Sequence, residues 1–370
     1  MVLIMYKYHL EDMEWKEFFI GGEEGVFDIK ATKSGIDKNK LNVEKGNIPY
    51  ITRSDGDNGI NLFVTDEQNR KYKMDQGNVI TIGLDTQTVF YQANPFFTGQ
   101  NIQVLSRDNL NKNISMFIIP LIKIQMEKFN WGGNGATLSR LNRTKIMLPI
   151  DKFNNPNWAF MEEYIKERNT KQRGELKDYY KNRLLDLVIS PEVLTDVEWG
   201  EFFLGDIFSI DTKPSKGLNH LSKDDKKGIP YVGATNRNNG VLNFVEKDSK
   251  LQYEGNCIAF IRNGEGSMGY SIYKKESFIA TQDISVGYNE NLNEYSAKFI
   301  TTIADRVRGK YTFGYKRNQA RLKKEILTLP VDKEGNPNWT YMENFIKNIE
   351  QKQIKNVLKY LDEYIYIYNV

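Results

Sequence analysis

The chain holds one cysteine, Cys257, and two histidines, His9 and His220, in 370 residues. A single thiol excludes an internal disulfide, and three soft ligands so widely scattered make no zinc pattern. So few histidines also speak against a serine or cysteine triad. Cys257 lies in the apolar run CIAFI, which reads as a buried structural thiol rather than a nucleophile. No apolar run approaches the roughly 20 residues needed to span a bilayer. The opening stretch MVLIMYKYHLEDMEW is apolar but short, without the basic region and small-residue cleavage site of a secretory signal, so a cytoplasmic location is expected. Charge of one sign is lacking too: 51 basic residues face 48 acidic ones, a net charge of +3. Nucleic-acid binding would therefore have to come from local clustering. There is no Walker-type phosphate loop, and the carboxylates show no nuclease-like spacing with lysine. The expectation is a chain that is not an enzyme, binding neither metal nor cofactor.

What the chain has is a repeat. LPIDKFNNPNWAFMEEYIK at 148–166 returns as LPVDKEGNPNWTYMENFIK at 329–347. Leu148, Pro149, Asp151, Asn155, Pro156, Asn157, Trp158, Met161, Glu162, Ile165 and Lys166 recur at an offset of 181. Upstream, Glu14, Trp15, Glu17, Phe18 and Phe19 return as Glu198, Trp199, Glu201, Phe202 and Phe203. The protein is two copies of one unit, and its length suffices for two domains with their own cores.

Each unit has a loop-rich first part, about 14–148 and 198–329. GNVITIGL and TVFYQA, then GNCIAFIR, YSIYKK and SFIAT, read as strands separated by turn signals. IPYITRSDGDNGI aligns with IPYVGATNRNNGV: the flanks match and the tips differ. Tyr50 and Tyr231 are expected beneath these loops. The second part is helical. Asn157 and Asn338 are the N-caps, and apolar residues follow at three- and four-residue steps: Met161, Tyr164, Ile165, Leu176, Tyr179, Tyr180, Leu184, Leu187 and Val188 in the first copy. Each helix should run about 30 residues, or about 45 Å. Gly174 interrupts the first seam, where a kink is expected, and Pro191 closes that helix. The two apolar stripes would be buried most simply against each other; the alternative is that each helix packs on its own domain.

Three stretches invite functional readings. Gly264-Glu265-Gly266-Ser267-Met268-Gly269 matches G-x-G-x-x-G, but a strand rather than a helix follows, so a dinucleotide site is not expected. Asn94-Pro95-Phe96-Phe97 lacks the second proline of the amino-methyltransferase motif and reads as a strand-end turn. The connector 306–324 is basic, with Arg306, Arg308, Lys310, Lys316, Arg317, Arg321, Lys323 and Lys324 among Tyr311, Phe313 and Tyr315, a mixture suited to phosphate contact. A solvated helix face would read the same way. Trp158 and Trp339 are expected to pack at the helix starts.

The doubled plan and the doubled motif resemble the DNA-specificity subunits of Type I restriction–modification systems. The LP-D-N-PNW-ME-I block is closer still to those of BcgI-like Type IIB systems. The resemblance covers nearly the whole chain. It implies an α+β fold: two tandem β-rich target recognition domains, each followed by a long α-helix, the helices pairing as an antiparallel coiled coil with internal pseudo-two-fold symmetry. The expected divisions are a first recognition domain at 1–148, its spacer helix at 149–190, a second domain at 191–329 and a second helix at 330–370.

The same resemblance implies a bipartite, asymmetric double-stranded DNA target, one half-site per domain. It also implies docking of methyltransferase subunits, two per chain, with nuclease or translocase subunits or a fused methyltransferase–nuclease. S-adenosylmethionine and Mg²⁺ would belong to those partners. Side chains able to bond base edges supply the candidates for DNA contact. They are Thr52, Arg53, Ser54, Asn58, Lys128, Asn130 and Asn134 in the first domain. In the second they are Asn236, Arg237, Asn238, Arg262, Asn263, Ser267, Lys310, Lys316 and Arg317. The competing reading is a duplicated carbohydrate- or protein-binding scaffold, for which the basic run would have no use.

Overall fold

The computed structural model describes residues 7–129, 135–188, 197–264, 266–312 and 314–368, with 364–368 described by their backbone alone. Gly133 and Pro191 lie outside the described residues. The chain divides into two compact units between Leu176 and Lys177.

In the first unit an antiparallel sheet runs in the order Asp28–Ala31, Ile102–Ser106, Val79–Gly83, Val89–Gln92. The second unit repeats it as Ser209–Asp211, Ile284–Tyr288, Cys257–Ile261, Ser271–Lys274. The central strands VITIG and CIAFI are buried at every position, which is why they are continuous apolar runs rather than alternating ones. Beside each lies a second sheet, in which Lys45–Ile51 pairs antiparallel with Ile60–Val64 and parallel with Phe97–Thr98. Its counterpart pairs Ile229–Val232 with Val241–Val245 and Phe278–Ala280 in the same senses. INLFV and VLNFV alternate between exposed and covered positions, the period of a half-buried edge.

Two further helices go beyond the expected elements. Lys112–Met126 is capped by Asn111, whose side chain accepts from Ile114 N–H, and Glu294–Ala304 by Asn293, which forms a capping box with Ser296. They close the cores, Ile114 and Ile118 against Ile80 and Leu105, Ala297 and Ile300 against Ile258 and Phe260.

The repeated motifs explain one another. Trp15–Phe19 pairs antiparallel with Lys145–Pro149, and Trp199–Phe203 with Ile326–Pro330. The chain then turns on a carboxylate: Asp151 Oδ1 accepts from the N–H of Phe153 (2.8 Å) and Asn155 (2.9 Å), and Asp332 Oδ1 from Glu334 (3.0 Å) and Asn336 (2.8 Å). Asn157 accepts from Phe160 N–H at 3.0 Å and Asn338 from Tyr341 N–H at 2.9 Å, the expected N-caps. Trp158 and Trp339 pack edge-on to Phe27 and Phe208.

The long helices are Trp158–Asp186, 29 residues, and Trp339–Tyr368, 30 residues. Gly174 does not end the helix, which continues through it without a break. Their first turns serve their own cores through Phe160 and Met161, and through Met342. Within the second unit, residues 177–188 also lie antiparallel to the second helix. Lys177 pairs with Asp362. Arg183 Nε donates to Glu350 (2.7 Å), Gln351 donates to the Leu187 carbonyl (2.7 Å), and Lys347 to that of Val188 (3.2 Å). The Glu350 hydrogen bond holds the Arg183 guanidinium above its ordinary pKa. This contact is polar at its edges, with Leu187, Ile354 and Leu361 buried. Leu176, Tyr179 and Val188, placed on the seam from their spacing, are exposed. Among the described residues no helix is long and apolar enough to cross a membrane, and no cluster of acidic, histidine or cysteine side chains could hold a metal.

A methyl group added at Gly174 would meet no other atom within 4 Å. Gly174→Ala should therefore raise stability by about 0.5–1 kcal/mol through helix propensity, read in chemical denaturation; a decrease would mean that the helix needs the glycine.

Candidate nucleic-acid interface

The loops after Tyr50 and Tyr231 rest on buried phenols. Tyr50 Oη donates to the Ile36 carbonyl at 2.7 Å, and Tyr231 Oη to that of Lys216 at 2.9 Å. Both tips enter left-handed backbone: φ is 48°, 56° and 78° at Asp57, Asn58 and Gly59, and 49°, 52° and 75° at Asn238, Asn239 and Gly240. Asn and Gly tolerate that region best, so both tips end in Asn-Gly. Thr52 N–H to the Gly59 carbonyl (2.8 Å) and Gly233 N–H to that of Gly240 (2.9 Å) close the same loop twice.

The neighbouring hairpin differs between the units. In the first, Gly83 N–H bonds the Thr88 carbonyl, leaving four residues in the turn. In the second, Ile261 N–H bonds the Tyr270 carbonyl and encloses eight, Arg262–Gly269, which contain the glycine-rich motif. Strand Ser271–Lys274 follows directly, as expected for a hairpin and not for a dinucleotide site. Loop and hairpin touch in both units. Arg53 pairs with Asp85 in the first, and Ser267 Oγ donates to the Ala234 carbonyl (2.6 Å) in the second.

In the first unit, Thr52 is half-buried, Ser54 accepts from Gly56 N–H (3.3 Å), and the Asn58 amide donates to the Tyr91 carbonyl (2.9 Å). These groups shape the loop, with Arg53, Ser54 and Asn58 remaining at its exposed tip. Lys128 lies elsewhere, in a groove of about 640 Å³ shared with Arg140, Arg143, Lys145 and Glu17. Asn130 and Asn134 lie outside the described residues.

In the second unit Asn236, Arg237 and Asn238 are exposed at the loop tip. Arg262 donates to the Gln282 carbonyl and Asn263 to Asp283 (3.2 Å) at the hairpin base. The hairpin and the basic segment meet in a groove of about 880 Å³ lined by Asn263, Met268, Tyr270, Arg308, Tyr311 and Lys316, among others. Lys310, next to the lining Gly309, is exposed.

Two candidates are misplaced by a reading from composition alone. Arg317 is fully buried: Nε and Nη2 bind Glu325 at 2.6 Å each, and Nη1 donates to the Tyr270 carbonyl at 3.2 Å. A guanidinium committed to a buried carboxylate and wholly enclosed by the protein cannot reach a base. Ser267, 3% exposed with its hydroxyl given to Ala234, likewise holds the loop rather than facing out. Conversely, Tyr270 and the Arg140–Arg143–Lys145 cluster are absent from the candidates that the sequence supplies. The pairing of Arg262–Tyr270 with 306–316 is long-range, and no local spacing announces it.

The remaining motifs are structural. Phe96 and Phe97 are buried, Phe97 in a sheet strand and Phe96 in a bridge to Asp75. Cys257 is buried, which pushes its thiol up to about 12 and leaves it protonated and inert near neutrality.

A family model described as the Type I restriction modification DNA specificity domain matches residues 13–178 and again 196–360. The chain belongs to that family. It is 29% identical over 333 residues to the specificity subunit S.BcgI of a Type II restriction enzyme of Heyndrickxia coagulans, covering 89% of this chain and 93% of that protein. The crystal structure of a Type I restriction–modification S subunit from M. genitalium shares the fold with a TM-score of 0.60 at 17% identity, over 96% of this chain and 94% of that one. The chain is thus a DNA-specificity subunit of the restriction–modification family, with two target recognition domains in tandem. The carbohydrate- or protein-binding alternative finds no support in these matches.

Removing one partner from a buried ion pair leaves an uncompensated charge, at a cost of about 3–5 kcal/mol. Glu325→Ala should therefore lose stability on that scale in denaturant unfolding, whereas Arg237→Ala, at an exposed tip, should leave the midpoint nearly unchanged.

Proposed function

We propose that this specificity subunit reads a two-part, asymmetric DNA sequence, one half-site per unit, and carries methyltransferase subunits to it without performing chemistry itself. The observation that carries the reading is one loop scaffold built twice, with the same left-handed Asn-Gly turn, under different tips and different hairpins. Equal frames with unequal side chains suit unequal half-sites. Base contacts would come from the exposed tips, Arg53, Ser54 and Asn58 in one unit and Asn236, Arg237 and Asn238 in the other. Lys128 with Arg140 and Arg143, and Lys310 with Lys316, would take phosphates, which position a reader without informing it.

The long helices would set the spacing. A helix of about 45 Å corresponds to roughly 13 base pairs at about 3.4 Å per step, close to one duplex turn, so that both half-sites would face one side of the duplex. The duplicated unit offers two equivalent docking faces, hence two modification subunits per chain. Those partners, or a fused methyltransferase–nuclease, would hold S-adenosylmethionine and Mg²⁺, and this chain would bind neither. A cytoplasmic site of action follows from a DNA target.

Co-expression with a cognate methyltransferase and mapping of methylated bases in the host genome tests this directly. Methylation should be confined to one split, asymmetric motif; a symmetric or contiguous motif would overturn the assignment of one half-site per unit. Inserting one helical turn within 161–188 should lengthen the spacer and leave both half-sites intact.

A further inference from the structure

Resting on the DNA-reading function proposed above, we infer that Arg308 is a base-reading side chain of the second unit, taking the major-groove edge of a guanine, with Tyr270 as its platform. The groove beside the long hairpin holds several polar side chains, and the structure disposes of them unequally. Arg262 is half-buried at the hairpin base, where its Nη2 donates to the Gln282 carbonyl and its Nε is buried, and Asn263 donates to Asp283. Arg317, buried, spends its own on Glu325 and Tyr270. Lys316 lines the groove as a point charge suited to phosphate. Arg308 is exposed, its charge offset by the nearby Asp305 carboxylate, and no side-chain hydrogen bond fixes its fork among the described residues.

That exposed guanidinium is nevertheless held in place. Its carbon lies 4.1 Å from the centroid of the Tyr270 ring. Beneath it, Gly269 (φ +95°) lets the two backbones approach so closely that a Cβ there would lie 2.9 Å from Arg308 Cα. Tyr270 is fixed in turn: its carbonyl receives both Ile261 N–H (2.9 Å) and Arg317 Nη1 (3.2 Å). A line of contacts therefore runs from the buried Glu325–Arg317 pair through Tyr270 to Arg308. A planar fork stacked on an aromatic ring loses little conformational freedom on binding. Its paired donors match guanine O6 and N7, the commonest specific contact in the major groove. The same fork also matches a phosphate, so discrimination among bases, rather than affinity, is the readout that assigns it.

Among the described residues the device belongs to the second unit alone. Counted from the helix caps Asn111 and Asn293, Arg308 corresponds to Met126, and by the repeat's offset of 181 to Glu127; neither position carries a guanidinium. The first unit's four-residue turn has no counterpart to the segment that carries Gly269 and Tyr270 to this position. The guanine should therefore lie in the half-site read by the second unit.

The test uses the full chain in complex with its methyltransferase, and duplexes carrying the mapped target with each base pair of both half-sites substituted in turn. Arg308→Lys keeps the charge and loses the fork. It should erase about 10- to 100-fold of discrimination at a single G·C pair of the second half-site, leaving the first half-site and the salt dependence unchanged. Tyr270→Leu, which keeps Arg308 but removes its platform, should relax the same base pair to a smaller extent. Uniform weakening on every duplex by Arg308→Ala, with retention by Arg308→Lys and a salt slope lower by about one, would make Arg308 a phosphate contact and overturn the inference. Unchanged discrimination in Arg308→Lys would overturn it too. If the wild-type complex itself discriminates no sequence, the DNA-reading function falls first, and this assignment with it.

Discussion

Each unit depends on the clasp that joins its first strand to its last. Trp15–Phe19 lies along Lys145–Pro149, and Trp199–Phe203 along Ile326–Pro330. This pairing joins residues more than a hundred positions apart, so its loop-closure entropy must be offset by the core that forms around it. Once closed, it sets the point where the chain leaves the unit. The Asp151 and Asp332 turns and the Asn157 and Asn338 caps then start the helix within a few residues of the last strand. Trp158 and Trp339, packed on Phe27 and Phe208, fix its direction. The clasp thereby sets where the helix starts relative to the loops of its own unit.

The buried Arg317–Glu325 pair performs a related task beside the long hairpin of the second unit. Such a pair contributes little net stability, because desolvation of both charges offsets their attraction. Its contribution here is geometric. Nη1 of Arg317 holds the Tyr270 carbonyl, and Glu325 accepts the Tyr311 hydroxyl, which burial and that carboxylate push above its usual phenol range. One ion pair thus ties the end of the long hairpin to the basic segment and defines two walls of the groove.

Much of this is legible in the sequence because it is local. Asn before Trp, then apolar residues at helical spacing, announces a capped helix, and both long helices have the expected length. Matching flanks with unlike tips announce one scaffold with two surfaces. The helices Lys112–Met126 and Glu294–Ala304 are harder to see although Asn111 and Asn293 carry the same capping chemistry, because the neighbouring turn signals point to strands and loops. Gly174 interrupts the apolar seam but not the helix: a single exposed glycine lowers helix propensity but does not break a helix whose neighbours are good formers. The candidate DNA contacts are the least legible. A basic run does not say which of its charges fold inward, and Arg317 does so because Glu325, eight residues on, meets it beneath the hairpin.

That inward turn bears on how such a protein can change what it reads. The matching flanks of the two loops carry the backbone bonds, from Thr52 to Gly59 and from Gly233 to Gly240, while the tips carry side chains that the frame does not need. The hairpin goes further, since eight enclosed residues replace four without disturbing the buried central strand on either side. Length and composition at these two places can vary at little cost to the core, because the tips lie at the surface, outside the buried strands. Residues such as Arg317 and Ser267 lie in the same stretches of sequence yet belong to the frame. A side chain's role in recognition is therefore set by which way it faces from the clasped core, and proximity to a variable tip is a poor guide to it.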